Sequence, residues 1–570
     1  MNNQPSVNEQ SMILIALVQG FSLLLLHQAI ELDFWPHHSP HWLFAFYSIA
    51  FIGPTLLLLS IDRNNVTRLL KFAAPFVLLS GLLGYYAGFQ ATPIEHVSYD
   101  TVLFGFINAM VLATFLALFF INMFSNQEDI NYKSAFILSW RNTLTLALSL
   151  LFTLVTWGIL MLWAELFRAI EIDFFRDLFT ERWFYYPVLA LANGFGVVIF
   201  RRFSNVIDTI VKLLQALFTF LLVLLVFVAI IFLFTLPFSG LEPLWDSGGS
   251  ALVLWLQALI LFFLNAVYQY DANSRPYPVW IQRFILIGIV LLPVFSAISF
   301  YGLYLRVDQY GWSLSRCWAF VVWAILALFS VGYAKNIIQL RDHWLQKLSS
   351  INIAMSLVLL VVMLLVNSPL LDFRKVTVKS QLNRLSSEQV TINEFDYSYF
   401  KRHLARPGYL ALEQMKQDYS ESHPEVVTRI ESLYRNMDEG VTYQQFTAKI
   451  TDLSGQVPEA VLKKAYSVYS EWGFYSFDNT IQFYILETDM DGNGQSDYIL
   501  FQHQNHDNLS YTLFYAENDI WQNLPTHSAN TNCDTCTFEA ALESIKAQEF
   551  STKQTRWKDL LIGDLELKME

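Results

Sequence analysis

The chain has 570 residues, of which 54% are hydrophobic, 16% are aromatic and only 15% are charged. Soluble globular domains carry about 25% charged residues, so this composition indicates a membrane protein. The formal net charge of −13 argues against nucleic acid as a partner, because phosphate binding requires clustered Lys and Arg.

The charge is unevenly distributed and divides the chain in two. Residues 1–367 contain 18 basic and 19 acidic side chains, whereas residues 368–570 contain 18 basic and 30 acidic ones. We therefore predict a polytopic transmembrane domain over 1–367 and an extracytoplasmic acidic domain over 368–570. The predicted fold class is an α-helical multi-pass membrane bundle with a C-terminal soluble α+β domain. The bundle is expected to contact the lipid bilayer.

The first domain contains eleven apolar runs of about the length that crosses a bilayer core, which is roughly 20 helical residues. The polar N-terminus lacks the basic region of a signal peptide, so the first run is expected to remain as a span. The sixth run is short and contains Asn193, Gly194 and Gly196, but omitting it would spoil the alternation of loop charge. The predicted spans are 11–28, 41–60, 69–89, 101–122, 142–164, 184–200, 213–238, 251–270, 284–305, 317–334 and 351–367.

Basic residues are concentrated in alternate loops. The loops after the even-numbered spans contain 13 Lys and Arg, and the opposite loops contain five. The positive-inside rule then places the N-terminus in the cytoplasm, and an odd number of spans places the C-terminal domain on the other side. We therefore predict a multi-pass membrane protein with its C-terminal domain outside, which is the periplasm if the cell is Gram-negative.

The segment 165–183, between spans five and six, has apolar residues at helical spacing. These are Phe167, Ile170, Phe174 and Leu178. The pattern is typical of an amphipathic helix that lies in the membrane interface. A lengthened span five accounts for it equally well.

Beyond residue 367 the periodicity changes to that of a small α+β domain of about 200 residues, which is large enough to bury its own core. Helical patterns lie near 399–416, 425–435 and 458–469, strand-like runs lie at 481–487, 497–503 and 511–517, and a last helix is expected over 538–548.

The sharpest local motif is TDMDGNGQSD at 488–497. Oxygen donors recur at alternate positions and Gly494 permits a sharp turn, as a calcium loop requires. Leu500 stands where an EF-hand has Glu, so the loop resembles the strand-flanked calcium loops of extracellular repeat proteins. An ordinary hairpin turn has the same preference for Asp, Asn and Gly. The predicted Ca²⁺ ligands are Asp489, Asp491, Asn493, Gln495 through its backbone carbonyl, and Asp497.

Two further groups bear on metal or redox chemistry. Cys533 and Cys536 form CDTC, and a local disulfide is expected on the predicted outer side, with thiol–disulfide exchange as the alternative. His37, His38 and His41 cluster in the first loop near acidic residues. Imidazoles ligate transition metals, although solvation alone accounts for most loops of this kind.

Asn108, Asn193, Gln257 and Asn265 are the polar residues at depth in the spans. We expect them to hydrogen-bond between helices, and the alternative is that they line a transport path. No span carries an ionisable residue near its middle, which counts against an ion-coupled pump. The chain has no P-loop, nucleophile elbow, HExxH or dinucleotide fingerprint, so the sequence gives no enzyme signature.

Five blocks of sequence, taken in order, are similar to a known family. They are 164–179, 183–199, 240–257 with 264–269, 306–320 with 331–334, and 368–385. Together they resemble the bacterial multi-pass membrane proteins grouped as domain-of-unknown-function family 4153 (DUF4153), over roughly residues 1–412. The resemblance implies an integral protein of the bacterial envelope and supplies no catalytic residue. The calcium-type loop and CDTC lie beyond it.

These observations favour an envelope scaffold or sensor that binds calcium and an envelope protein partner. A transporter or channel for a small or lipid-like solute is the alternative. A third possibility is an enzyme acting on lipid-linked substrates, with acid–base candidates at Glu165, Arg168, Glu171 and Asp173.

Overall fold

The computed structural model of the protein divides into two compact units, Met1–Val427 and Thr428–Glu570. It describes residues 9–567 except for gaps at 63, 128–131, 242–248, 269–275, 342–343, 435–442, 454–456, 472–481, 491, 505–507, 518–519, 529–543, 545–559 and 563–564.

The first unit is helical. Within the described residues, eleven of its helices are long and apolar enough to cross a membrane, which confirms the predicted number of spans. They are α1 (Glu9–Glu31), α2 (Pro40–Ser60), α3 (Val66–Gln90), α4 (Asp100–Asn126), α5 (Tyr132–Arg168), α7 (Arg182–Arg202), α8 (Ser204–Ser239), α9 (Ser250–Tyr268), α10 (Val279–Tyr310), α11 (Leu314–Leu340) and α12 (Leu345–Val366).

The spans bury only part of their apolar surface against one another. In the most apolar window of each span, between 11% and 50% of the residues are buried inside the protein. Large side chains such as Phe104 and Phe238 are 80% and 90% exposed. A helix that is hydrophobic all round and only partly covered by protein is suited to lipid contact.

Helix α7, the short sixth span, is continuous and packs closely against α1. A Cβ added at Gly194 would lie 2.5 Å from the Cβ of Ala16, so only glycine permits this approach. Ion pairs join the two helices at both ends: Arg202 lies 2.6 Å from Glu9, and Arg182 pairs with Glu31. The glycine in this span therefore serves antiparallel packing rather than a break in the helix.

Helices α8 to α12 share the largest apolar core of this unit. Its fully buried members include Leu222 of α8, Ile260 of α9, Ile289 of α10 and Tyr333 of α11. Each helix contributes one stripe to this core and leaves its other face exposed, as expected for a bundle in lipid.

Three further helices form a cap over one end of the bundle: α13 (Phe373–Ser386), α14 (Tyr397–His403) and α15 (Ala405–Asp418). The sequence patterns predicted α14 and α15 as a single helix and missed α13. The predicted domain boundary at residue 367 marks the end of the last span, whereas the compact unit continues through this cap to Val427.

The second unit contains a mixed sheet in the order β1–β2–β3–β4–β5, with β6 also paired to β4. β1 is parallel to β2, and the remaining pairs are antiparallel. The strands are β1 (Ile450–Asp452), β2 (Gln482–Thr488), β3 (Asp497–Gln504), β4 (Asn508–Glu517), β5 (Ile520–Asn523) and β6 (His527–Ser528), and a separate pair contains β7 (Leu560–Ile562) and β8 (Leu565–Leu567).

Helices α17 (Tyr443–Thr447) and α18 (Glu459–Glu471) contribute to the core of this sheet, and α16 (Pro424–Tyr434) precedes them in the chain. The core contains Phe446, Val461, Phe483, Leu500 and Phe514, each at most 1% exposed. The predicted strands at 481–487, 497–503 and 511–517 are confirmed. The helix predicted over 538–548 lies almost entirely outside the described residues.

Candidate functional site

Gln257, at depth in α9, ties three helices together. It is fully buried, and its Nε2 donates to Ser296 Oγ of α10 and to Ser330 Oγ of α11, both at 2.6 Å. A weaker bond of 3.3 Å reaches the carbonyl of Leu326. Because hydrocarbon offers no competing partner, such bonds act as interhelical glue.

Asn265, two turns further along α9, lies at the centre of a second network. Its Oδ1 accepts from Tyr333 Oη at 3.0 Å, from Asn352 Nδ2 at 2.6 Å and from Tyr132 Oη at 3.3 Å. Tyr333 also donates to Asn352. The network therefore connects α5, α9, α11 and α12 through side chains that the sequence patterns did not bring together.

The other two polar residues at depth have different surroundings. Asn108 is exposed and donates to the carbonyl of Phe104 in its own helix, at 2.7 Å. Asn193 Oδ1 is buried, and it lies in α7 one residue before Gly194. Neither residue joins a set of convergent polar groups in the described part of the bundle.

The cap binds the ends of the spans through polar contacts that reach far along the sequence. Trp312 N–H donates to Ser380 Oγ at 2.9 Å, and Gln381 Nε2 donates to the carbonyls of Tyr310 and Trp312, both at 2.9 Å. At Gly311, where φ is +68°, an added Cβ would lie 2.6 Å from Cδ of Arg384. A glycine is thus required where α13 crosses the turn between α10 and α11.

An ion pair between the buried Asp372 and the partly buried Arg374 fastens the start of α13, and Asp372 also bonds to α3. Asp372 is 4% exposed; its Oδ1 accepts the Arg374 N–H at 2.9 Å, and its Oδ2 accepts Tyr86 Oη at 2.7 Å. The Arg374 guanidinium lies 3.8 Å from Asp372 and donates to the carbonyl of Thr101 at 3.4 Å. Burial lowers the pKa of Arg374, and the neighbouring carboxylate opposes that shift.

A cavity of about 280 Å³ lies between α10, α13 and α14. Arg384 lies on one wall and donates to the carbonyl of Gln309 at 2.8 Å, while Glu394 and Asp396 lie on another. Hydrogen bonds from the hydroxyl and the N–H of Thr391 lower the pKa of Glu394. The complete lining is Tyr310, Gln381, Arg384, Val390, Glu394, Phe395, Asp396, Tyr399 and Phe400.

The segment 165–183 is an extension of α5 followed by a separate short helix, so it does not form the single amphipathic helix predicted from its apolar stripe. α5 continues to Arg168, and a short helix, α6 (Phe174–Thr180), follows after a turn. Phe175 packs on Phe167 with ring centroids 4.5 Å apart, whereas Ile170 and Phe174 of the predicted apolar stripe are exposed.

Three of the four charged groups proposed for acid–base chemistry in that segment form surface ion pairs with one another. Arg168 lies 3.4 Å from Glu165 and 4.0 Å from Asp173, and all three side chains are about half exposed or more. Glu171, in the turn, has a φ of 64°. Exposed pairs of this kind need no catalytic explanation.

The calcium-type loop is the connection of the β2–β3 hairpin. Its first residue, Asp489, accepts the N–H of Gly492 on Oδ1 at 2.7 Å and that of Gly494 on Oδ2 at 3.0 Å. Both glycines have positive φ, 76° and 81°.

The remaining predicted ligands lie partly within the described residues. Asn493 Oδ1 accepts the N–H of Gln495 at 2.6 Å, and the 2%-exposed Asp497 accepts the N–H of Met490 at 2.9 Å. Asp491 lies outside the described residues. These oxygens are the ligand type that Ca²⁺ prefers, so the residues present are chemically suited to it.

Cys533 and Cys536 also lie outside the described residues. The remaining cysteine, Cys317, is a buried free thiol near the start of α11, in a small apolar cluster with Phe373 of the cap.

The bundle and its cap define a multi-pass α-helical membrane protein. Within that class, the chain belongs to the family described as Domain of unknown function (DUF4153), whose family model matches residues 44–415. The match covers most of the bundle, the cap and the cavity, and it ends before the calcium-type loop. No curated protein and no solved structure matches the chain.

Two of the five sequence blocks that resemble this family contact each other at the cap. Block 306–320 contains the turn at Gly311, and block 368–385 contains all of α13 except its last residue. The hydrogen bonds of Trp312, Ser380 and Gln381 join them directly. The long-range contacts of the cap thus lie within the family-matched region.

Proposed function

We propose that this protein is a scaffold or sensor of the bacterial inner membrane, whose bundle anchors a calcium-binding periplasmic domain that contacts an envelope protein partner. The observation that carries the proposal is that Gln257 and Asn265 form hydrogen bonds between helices. These polar residues at depth bond to neighbouring helices. Because these hydrogen bonds hold the helices in fixed positions relative to one another, they favour a role of the bundle as a membrane anchor.

Transport of a small or lipid-like solute has less support. The short sixth span suggested a broken helix of the kind that forms transporter sites, but α7 runs unbroken from Arg182 to Arg202. The two best-defined cavities among the described residues are lined by neither Asn193, Gln257 nor Asn265.

The orientation rests on the distribution of cations, 13 in one set of loops against five in the other. A periplasm-active reporter fused after Glu570 should be active, and one fused after Lys347 should be inactive. The reverse pattern would refute the orientation.

The calcium proposal is supported by the Asp489 carboxylate, which the backbone of its own loop holds in place. Calorimetry of the full-length protein in lipid nanodiscs should detect Ca²⁺ binding. Asp489→Asn keeps a hydrogen-bond acceptor for the turn but removes a negative charge, so it should weaken Ca²⁺ binding at least about tenfold. Asn493→Asp adds a negative charge and should strengthen Ca²⁺ binding.

Glu517→Gln provides the matched control, because Glu517 is an exposed carboxylate on β4 of the same sheet. Its affinity for Ca²⁺ should equal that of the wild type. Absence of binding in the wild type, or equal binding in Asp489→Asn, would reduce the loop to a plain hairpin turn.

A further inference from the structure

The turn between α1 and α2 brings together one carboxylate and two imidazoles. Nε2 of His37 lies 3.4 Å from Asp33 Oδ1, and Nε2 of His38 lies 3.5 Å from the same oxygen. One ligand atom from each residue lies within 4.8 Å of the other two. Among the described residues, this is the one group of three His, Cys, Asp or Glu side chains with that spacing.

These separations suit a shared cation better than direct hydrogen bonds. An N–H···O bond spans about 2.7–3.2 Å, and both His–Asp distances exceed that range. Ligands bound tetrahedrally at about 2.0–2.1 Å from Zn²⁺ lie roughly 3.3 Å apart. Both distances to Asp33 therefore match edges of a zinc tetrahedron, and the ligand nitrogens of His37 and His38 lie within 4.8 Å of each other.

The turn that holds these side chains is compact. The N–H of His37 donates to the carbonyl of Phe34 at 2.9 Å, and that of Phe34 donates to Ala29 at 3.1 Å. Trp35 packs edge-on against Phe46 of α2 at 5.6 Å. Asp33 has a φ of 56°, a conformation that Asp and Asn tolerate best among side-chain-bearing residues.

The neighbouring acid is engaged elsewhere, because Glu31 pairs with Arg182 of α7. Asp33 is thus the carboxylate that faces the two imidazoles. A set of two nitrogen donors and one oxygen donor is typical of Zn²⁺ and related transition metals, whereas Ca²⁺ and Mg²⁺ prefer all-oxygen sites.

We propose that Asp33, His37 and His38 form a divalent transition-metal site that takes Zn²⁺, with the fourth tetrahedral position left to water. This site is separate from the calcium-type loop and does not depend on the orientation of the protein in the membrane.

The test is Zn²⁺ titration of the tag-free, chelator-treated full-length protein in lipid nanodiscs, with excess Ca²⁺ present to fill oxygen-only sites. Asp33→Asn, His37→Gln and His38→Gln should each weaken binding at least about tenfold, since even supporting residues around a metal are worth that much. His41→Gln is the matched control: it removes a histidine just beyond the turn and should leave the affinity unchanged.

Co²⁺ gives a second readout that does not depend on affinity. Bound to the wild type it should show the strong visible absorption of tetrahedral Co²⁺, and this absorption should be absent in Asp33→Asn. Thermal unfolding without metal should be the same in all four variants, which confirms that they fold. Equal Zn²⁺ affinity in wild type and His37→Gln, loss of binding in His41→Gln, or a weak octahedral Co²⁺ spectrum would each overturn the assignment.

Discussion

Replacing Gln257 by Met tests whether the bundle is held together at depth by side-chain hydrogen bonds. Met has nearly the same length and shape but cannot donate to Ser296 and Ser330, which Gln257 contacts at 2.6 Å. Interhelical bonds in membrane proteins average about 0.6 kcal/mol, with a maximum of about 1.7 kcal/mol. Loss of the two short bonds should therefore lower the free energy of unfolding by about 1.2 kcal/mol, with a ceiling of about 3.4 kcal/mol.

The assay is reversible unfolding of the full-length protein in mixed micelles with increasing denaturing detergent. Asn108→Leu provides the control, because Asn108 is exposed and bonds only within its own helix. Its free energy of unfolding should change by less than about 0.5 kcal/mol. If Gln257→Met is as stable as the wild type, or loses no more stability than Asn108→Leu, the assignment of Gln257 as a structural tie is wrong.

Two further predictions concern packing and the cap. Gly194→Ala should destabilise the protein by about 1–3 kcal/mol, because its new Cβ overlaps Ala16. Gly105→Ala is the control: its added Cβ meets open space, so it should be neutral or stabilising by up to about 1 kcal/mol. An equal loss of stability in both variants would contradict the packing argument. Asp372→Ala should cost about 3 kcal/mol in the same assay, since it removes a helix N-cap and leaves the partly buried Arg374 guanidinium without its carboxylate. Asp372→Asn keeps the cap acceptor and should cost less, so the reverse order would refute the role assigned to Asp372.

The eleven spans could be predicted because lipid demands long apolar runs whatever the tertiary structure. The strands of the second unit could be predicted from their alternation. Helix α13 was missed, because its sequence is polar and weakly amphipathic. It is held by the Asp372 N-cap and by contacts with Trp312 and Gly311, which lie far away in the sequence.

The polar residues at depth illustrate the same limit. Gln257 and Asn265 stood out in the sequence as rare amides in apolar runs. Their partners Ser296, Tyr333 and Asn352 did not, because periodicity gives the position along a helix but not how two helices are rotated against each other. The same holds for the cluster around Asp33, whose histidines were noticed from their proximity in sequence, while its spacing is a property of the turn.

The cap has a consequence for the order in which the protein can be assembled. Its residues bond to partners far back in the chain: Asp372 to Tyr86, 286 residues earlier, and Arg406 to Thr92, 314 residues earlier. Other cap residues bond to the turn after α10, around Trp312. During synthesis these hydrogen bonds cannot form until the last span and the cap that follows it have been synthesised. Formation of the cap is therefore a late step, because it requires that both the early and the late spans have been inserted and packed. A chain in which the cap has formed is thus one in which all its spans have been inserted.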